Sequence, residues 1–111
     1  MIKVYQIQLT DLEITIANSG GNSPRLKAYF DRMFESTFKA ENFQYYTHVA
    51  NVDTDNMDDA FELMNLWDDV SKVEKLGPCS SMSVGDILEV DGKLYRCASF
   101  GFTAIEDVQY A

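Results

Sequence analysis

Eight carboxylates, Glu41, Asp53, Asp55, Asp58, Asp59, Glu62, Asp68 and Asp69, lie between Lys39 and Lys72 with no lysine or arginine among them. They account for −8 of the chain's net charge of −9. Two kinds of chemistry use such a cluster, cation coordination and attraction of a basic surface. Calcium fits poorly. Asp53-x-Asp55-x-Met57-Asp58 opens like an EF-hand loop, but Met57 stands where an oxygen ligand is needed and Asp58 where the turn glycine belongs. Met64, at the twelfth position, cannot supply the bidentate carboxylate. The remaining reading is electrostatic: a concentrated negative field attracts cationic protein surfaces and repels bare nucleic acid.

Other reactive groups are sparse. His48 is the single histidine and falls in a predicted strand, where a core or edge role is the ordinary one. No serine sits in a Gly-x-Ser-x-Gly elbow, and no phosphate-binding glycine motif is present. Cys79 and Cys97 read as two reduced, partly buried thiols, with a disulfide or redox pair as the alternative. Two cysteines and one histidine do not complete a structural zinc site without carboxylates. With nine scattered bases and a pI of about 4.3, direct nucleic-acid binding is not expected. The expectation is a protein without catalytic residues, metal or cofactor.

The elements that would position these groups are those of one α+β domain. At 111 residues, 46% of them hydrophobic and fourteen aromatic, the chain has material for a core. No signal peptide or membrane-spanning run is read, so the expected location is cytoplasmic. Met1–Leu9 reads as a first strand and Leu12–Ile16 as a short second one. Ser23-Pro24 is a helix start, and Leu26, Tyr29, Phe30, Met33, Phe34 and Phe38 mark an apolar stripe running to about Lys39. The opposite face, with Arg25, Lys27, Asp31, Arg32 and Glu35, is mixed. Asn42–Val52 reads as a strand.

A second helix follows, capped by Asp53, Thr54 or Asp55, with Met57, Ala60, Phe61, Met64 and Trp67 as its apolar stripe. At about 100° per residue these five fall within an arc of about 120°, and Asp55, Asp58, Asp59, Glu62 and Asp69 fall within about 100° on the other side. Leu66 lies inside the acidic arc and Leu63 at its edge. Six acids from Asp55 to Asp69, over ~22 Å of helix, give roughly one charge per 3.7 Å. That matches a single nucleic-acid strand, at about one per 3.4 Å, and not a duplex, at about one per 1.7 Å. Ser71–Pro78 reads as a connector. Val84–Val90, Asp91-Gly92 and Lys93–Ala98 form a β-hairpin signal, because Asp-Gly suits the two positive-φ positions of a type I′ turn. The fold expectation is an antiparallel sheet of about four or five strands packed by two amphipathic helices, with a C-terminal β-hairpin.

One string is more specific. Ser81-Met82-Ser83-Val84-Gly85-Asp86 before the hairpin, and Ser99-Phe100-Gly101-Phe102 after it, resemble the signature of the YodL-like small domains of phages and integrative mobile elements. Tyr46–Val52 and Asp59-Ala60-Phe61-Glu62-Leu63 are similar to small acidic phage proteins carrying that cassette. The resemblance covers about Phe43–Ile105. It implies a mobile-element setting inside a bacterium and no established enzymatic activity. The physical reading of the cassette is structural, with Gly85 allowing a bend, Asp86 capping it, and Phe100 and Phe102 packing one sheet face.

Together these readings give an expected function. A small acidic protein would bind and inhibit a host nucleic-acid-handling machine, such as RNA polymerase or a defence nuclease, by partial DNA mimicry. Asp55, Asp58, Asp59, Glu62, Leu66 and Asp69 would form the contact face, and the partner would be a host protein with a basic surface. The alternative is a non-catalytic adaptor or homo-oligomerising module, a homodimer among the options, that uses the edge of the C-terminal hairpin and is sensitive to Tyr95 or Phe102.

Overall fold

A computed structural model describes residues 1–34, 40–98 and 101–105. Among the described residues the fold is α+β, with three α-helices and six antiparallel strands in one sheet. The strands are β1 (Ile2–Gln6), β2 (Thr47–Val52), β3 (Val73–Lys75), β4 (Ile87–Val90), β5 (Lys93–Cys97) and β6 (Phe102–Ile105), in the spatial order β3-β2-β1-β4-β5-β6. The helices are α1 (Asp11–Asn18), α2 (Pro24–Phe34) and α3 (Met57–Leu66). The sheet is thus one strand wider than expected, and there is one more helix.

The sheet's alternation builds the core. Pairing of Ile2 with Val52, and of Val4 with both Ala50 and Leu88, puts these residues on one face. All five are fully buried, and Ala60 and Met64 of α3 pack into the same cluster. Trp67 closes α3 in the left-handed conformation at φ 53° and packs against that cluster. Tyr5 follows Val4 onto the opposite face, where its ring meets Phe43 edge-on at 5.4 Å and His48 at 5.2 Å. A bulge lies opposite the Val4–Tyr5 step, so Val49 is the unpaired extra residue of β2.

Several expectations are corrected. Leu12–Ile16 is not a strand but lies in α1. Thr10 caps that helix, its hydroxyl accepting from the Glu13 amide while the Glu13 carboxylate accepts from the Thr10 amide. That reciprocal box satisfies two otherwise orphaned N–H groups and outweighs the β-branched run Ile14-Thr15-Ile16. Only Thr47–Val52 of the 42–52 segment is strand, because Ala40–Tyr45 is a 3-10 helix. The supposed connector contains β3, whose Val73 pairs with Val52 and is buried. In α2, Leu26 is buried as expected and Phe30 is 44% exposed, while Ala28, outside the expected stripe, is buried. The expected continuation to Phe38 and Lys39 lies outside the described residues, as does Phe100.

The Asp91-Gly92 turn of the expected hairpin is present, at φ 51° and φ 79°, but the strands it joins are shorter than expected, β4 starting only at Ile87 because Val84 and Gly85 form a turn, and β5 ending at Cys97. Nor is the hairpin a free edge. β6 covers β5, so Tyr95 is in an interior strand and Phe102 in the edge strand, where it packs against the core. No helix among the described residues is long and apolar enough to cross a membrane.

Candidate functional site

The acidic segment is rearranged relative to the sequence expectation. Asn56 is the N-cap of α3, its side-chain oxygen accepting from the Asp59 amide, and the helix ends at Leu66. Asp55 therefore lies before the helix, bound to the amino terminus of Met1 at 2.8 Å, and Asp69 lies after it, accepting from the Ser71 hydroxyl. Only Asp58, Asp59 and Glu62 of the acids are helical. Ten residues span about 15 Å, so the linear density falls to roughly one charge per 5 Å, and the match to a nucleic-acid strand does not hold. Phe61 is also corrected. It is 40% exposed, and Leu63 takes its place against the core.

The fold gathers the acids in two dimensions instead. Asp53, Asp59, Glu62, Asp68 and Asp69 line an open cleft of about 300 Å³, with Leu63, Thr54 and Lys72 completing its wall. Asp53 is brought there because its amide donates to the Lys72 carbonyl, tying the end of β2 to the start of β3. None of the five carboxylates makes an ion pair among the described residues. Asp58 and Leu66 are exposed outside the cleft, Leu66 at 65%. Of the six expected contact residues, then, Asp59, Glu62 and Asp69 share the cleft, Asp58 and Leu66 lie on α3 outside its lining, and Asp55 makes an exposed ion pair with the amino terminus. Asp58 and Asp59 also stabilise the first turn of α3 through its macrodipole. No three His, Cys, Asp or Glu among the described residues are grouped to hold a metal ion.

A second cluster, centred on the cassette, was missed in part. Asp86 accepts from the Ser83 amide and from the Gln6 side chain, both at 3.0 Å, and thereby caps the turn that enters β4. Arg32 of α2 reaches it at 3.5 Å and donates to the Val84 carbonyl and the Ser83 hydroxyl. Arg96 donates to the Arg32 carbonyl at 3.0 Å, and Tyr46 to the Gly85 carbonyl. Burial pushes the Asp86 carboxyl up to about 6, against the opposing pull of the Ser83 amide, Arg32 and Gln6. Burial likewise raises Tyr46, and raises the Cys97 thiol to about 11. Cys97 and Cys79 are both unpaired thiols associated with the same core cluster. A signal for Gln6 was present, since a polar side chain continues the inward period of Ile2 and Val4. Arg32 had none, because its helical position reads as solvent-facing.

His48, the one candidate base, bonds Asn51 at 2.8 Å, and Asn51 in turn donates to Glu74. The class this architecture defines is an α+β domain whose sheet is backed by α3 on one face and which carries one acidic cleft. No family model, curated protein or solved structure matches the chain.

Proposed function

We propose that the chain is a non-catalytic binding protein that seats its acidic cleft on a cationic protein surface, of the kind that ordinarily holds nucleic acid, and so blocks it. The observation that carries this reading is the cleft itself, with five carboxylates and no ion pair for any of them among the described residues. Leaving like charges together destabilises a folded chain and favours a partner that neutralises them. Carboxylates gathered around an open cleft suit insertion of arginine or lysine side chains rather than linear mimicry of a strand. Exposed Leu66 beside the acids adds an apolar contact that raises affinity without salt dependence. The resemblance of the cassette to phage and mobile-element domains supports a bacterial host protein as the partner.

The test is a pull-down from bacterial lysate at low and high salt with the wild-type chain and with the double variant Glu62→Lys, Asp68→Lys. Both positions are exposed and lie outside the first turn of α3, so the reversal leaves the helix cap intact. The wild type is expected to retain a nucleic-acid-binding protein that salt releases and that added duplex DNA displaces. Retention of the same protein by the double variant would remove the cleft as the site.

A further inference from the structure

We propose that the outer edge of β3 takes up an extended, lysine- or arginine-rich segment of a partner protein as an added strand of the sheet. This inference rests on the acidic-cleft reading above and names the form of the partner. β3 is an outer strand, paired with β2 alone. The Asp53 amide donates to the Lys72 carbonyl and the Leu76 amide to the Val49 carbonyl. With Glu74 opposite Asn51, that alternation turns the backbone groups of Lys72, Glu74 and Leu76 towards β2 and those of Val73 and Lys75 away from it. The Val73 amide returns to the Val70 carbonyl. The Val73 carbonyl and both backbone groups of Lys75 therefore point outward, and no described residue pairs with them.

The surroundings choose the occupant. The acidic cleft begins where the strand begins: Lys72, directly before β3, and Asp53, whose amide it holds, both line the cleft with Asp68 and Asp69. On the strand itself Glu74 is exposed, and Lys75, its single cation, is drawn over the Trp67 ring at 4.4 Å. Carboxylates thus flank an unpaired amide and two unpaired carbonyls. The complement is a chain whose backbone completes the pairs and whose side chains carry ammonium or guanidinium groups. Val70 and Leu76, 65% and 50% exposed, precede and follow the strand and offer apolar contact to alternate side chains of that segment. A second copy of this chain is the wrong occupant. Short, charged edges resist indiscriminate pairing, and joining two β3 edges would bring two acidic clefts together.

The test is an NMR titration of the whole chain with the capped peptide (Lys-Val)4, with (Glu-Val)4 as the peptide of opposite charge and spermine as a tetracation without a peptide backbone. (Lys-Val)4 is expected to saturate with a Kd of about 0.1 mM. It should shift the amides of Val73, Lys75, Leu76 and Asp69, and slow hydrogen exchange at the Lys75 amide at least about tenfold. (Glu-Val)4 should not saturate, and spermine should bind at least about tenfold more weakly and leave Lys75 exchange unchanged. Lys75→Pro removes the outward amide at an edge position that carries no bond to β2, where proline is tolerated. Lys75→Thr removes the same side chain and keeps the amide, so the proline variant should bind at least about tenfold more weakly than the threonine one. Should proline unfold the chain, exchange at Lys75 in the wild type still decides. Absence of saturation by (Lys-Val)4, unchanged exchange at Lys75 in the saturated wild type, equal binding of spermine, or equal affinity of folded Lys75→Pro and Lys75→Thr would overturn the added strand and leave the acidic cleft standing. Undiminished binding of (Lys-Val)4 by the double variant Glu62→Lys, Asp68→Lys would remove the cleft reading itself, and this inference with it.

Discussion

Gly85 stands at φ +93°, and a Cβ built on it would come within 2.6 Å of both the Arg32 Cβ and the Arg32 carbonyl oxygen. Gly92 has a similar φ, +79°, but open space around it. The pair separates backbone strain from close approach. Gly92→Ala should cost about 1–2 kcal/mol, the left-handed penalty alone. Gly85→Ala should cost more, upward of about 3 kcal/mol, since backbone cannot yield as a side-chain tip does. Urea unfolding of the two variants makes the comparison, and equal losses would show that the α2 contact is unimportant. Asp86 gives a second prediction at this scale. Its folded pKa of about 6 lies above the ordinary carboxylate value of 3.8 because of burial. The folded state then holds the proton more tightly than the unfolded one, so Asp86 adds stability as pH falls from about 6 to about 4 and loses it as pH rises through that window. The gap corresponds to roughly 3 kcal/mol at most. The difference in stability between the wild type and Asp86→Asn should therefore grow in favour of the wild type on acidification, measured by urea melts at each pH. A constant difference would mean an ordinary carboxyl.

Helices α1 and α3 are both capped by a side chain, yet they differ in what they bury. α1 has no buried residue, whereas α3 inserts Ala60 and Met64 into the core. Thr10→Ala removes the capping box and should cost about 1 kcal/mol. That loss should be visible as faster hydrogen exchange at residues 11–18, with little change in global stability, because α1 can fray alone. Met64→Ala should cost about 2–5 kcal/mol and lower the global melting transition, because it opens a cavity under the sheet. The opposite ranking would mean that α1 is structurally central. The Thr10-x-x-Glu13 signal for α1 was present in the sequence, but its β-branched interior pointed to a strand. Nothing local marked β3, a three-residue strand whose Val73 becomes apolar core only through its pairing with Val52.

Across the whole molecule the charge is lopsided, and salt should act in opposite directions on the free chain and on its complex. Screening relieves repulsion among the cleft carboxylates, as the Debye length falls from about 10 Å at 0.1 M to about 3 Å at 1 M. The Tm of the free protein should accordingly rise by several degrees with added sodium chloride, measured calorimetrically. A complex formed through the cleft should weaken over the same range. A falling Tm would indicate that the acids are stabilised by internal cations rather than exposed to one another.

Charge clustering, the Asp91-Gly92 turn, the α+β class and the Ser23-Pro24 helix start were legible in the sequence because each depends on neighbours a few residues away. The tertiary structure alone decided that Asp55 pairs with the amino terminus, that Asp53 and Asp68 face one cleft, and that Arg32 turns inward to Asp86, 54 residues further along the chain. Those outcomes depend on strand order and long-range burial, and a one-dimensional pattern carries charge and period but not the through-space distances on which electrostatic and hydrogen-bond energies depend.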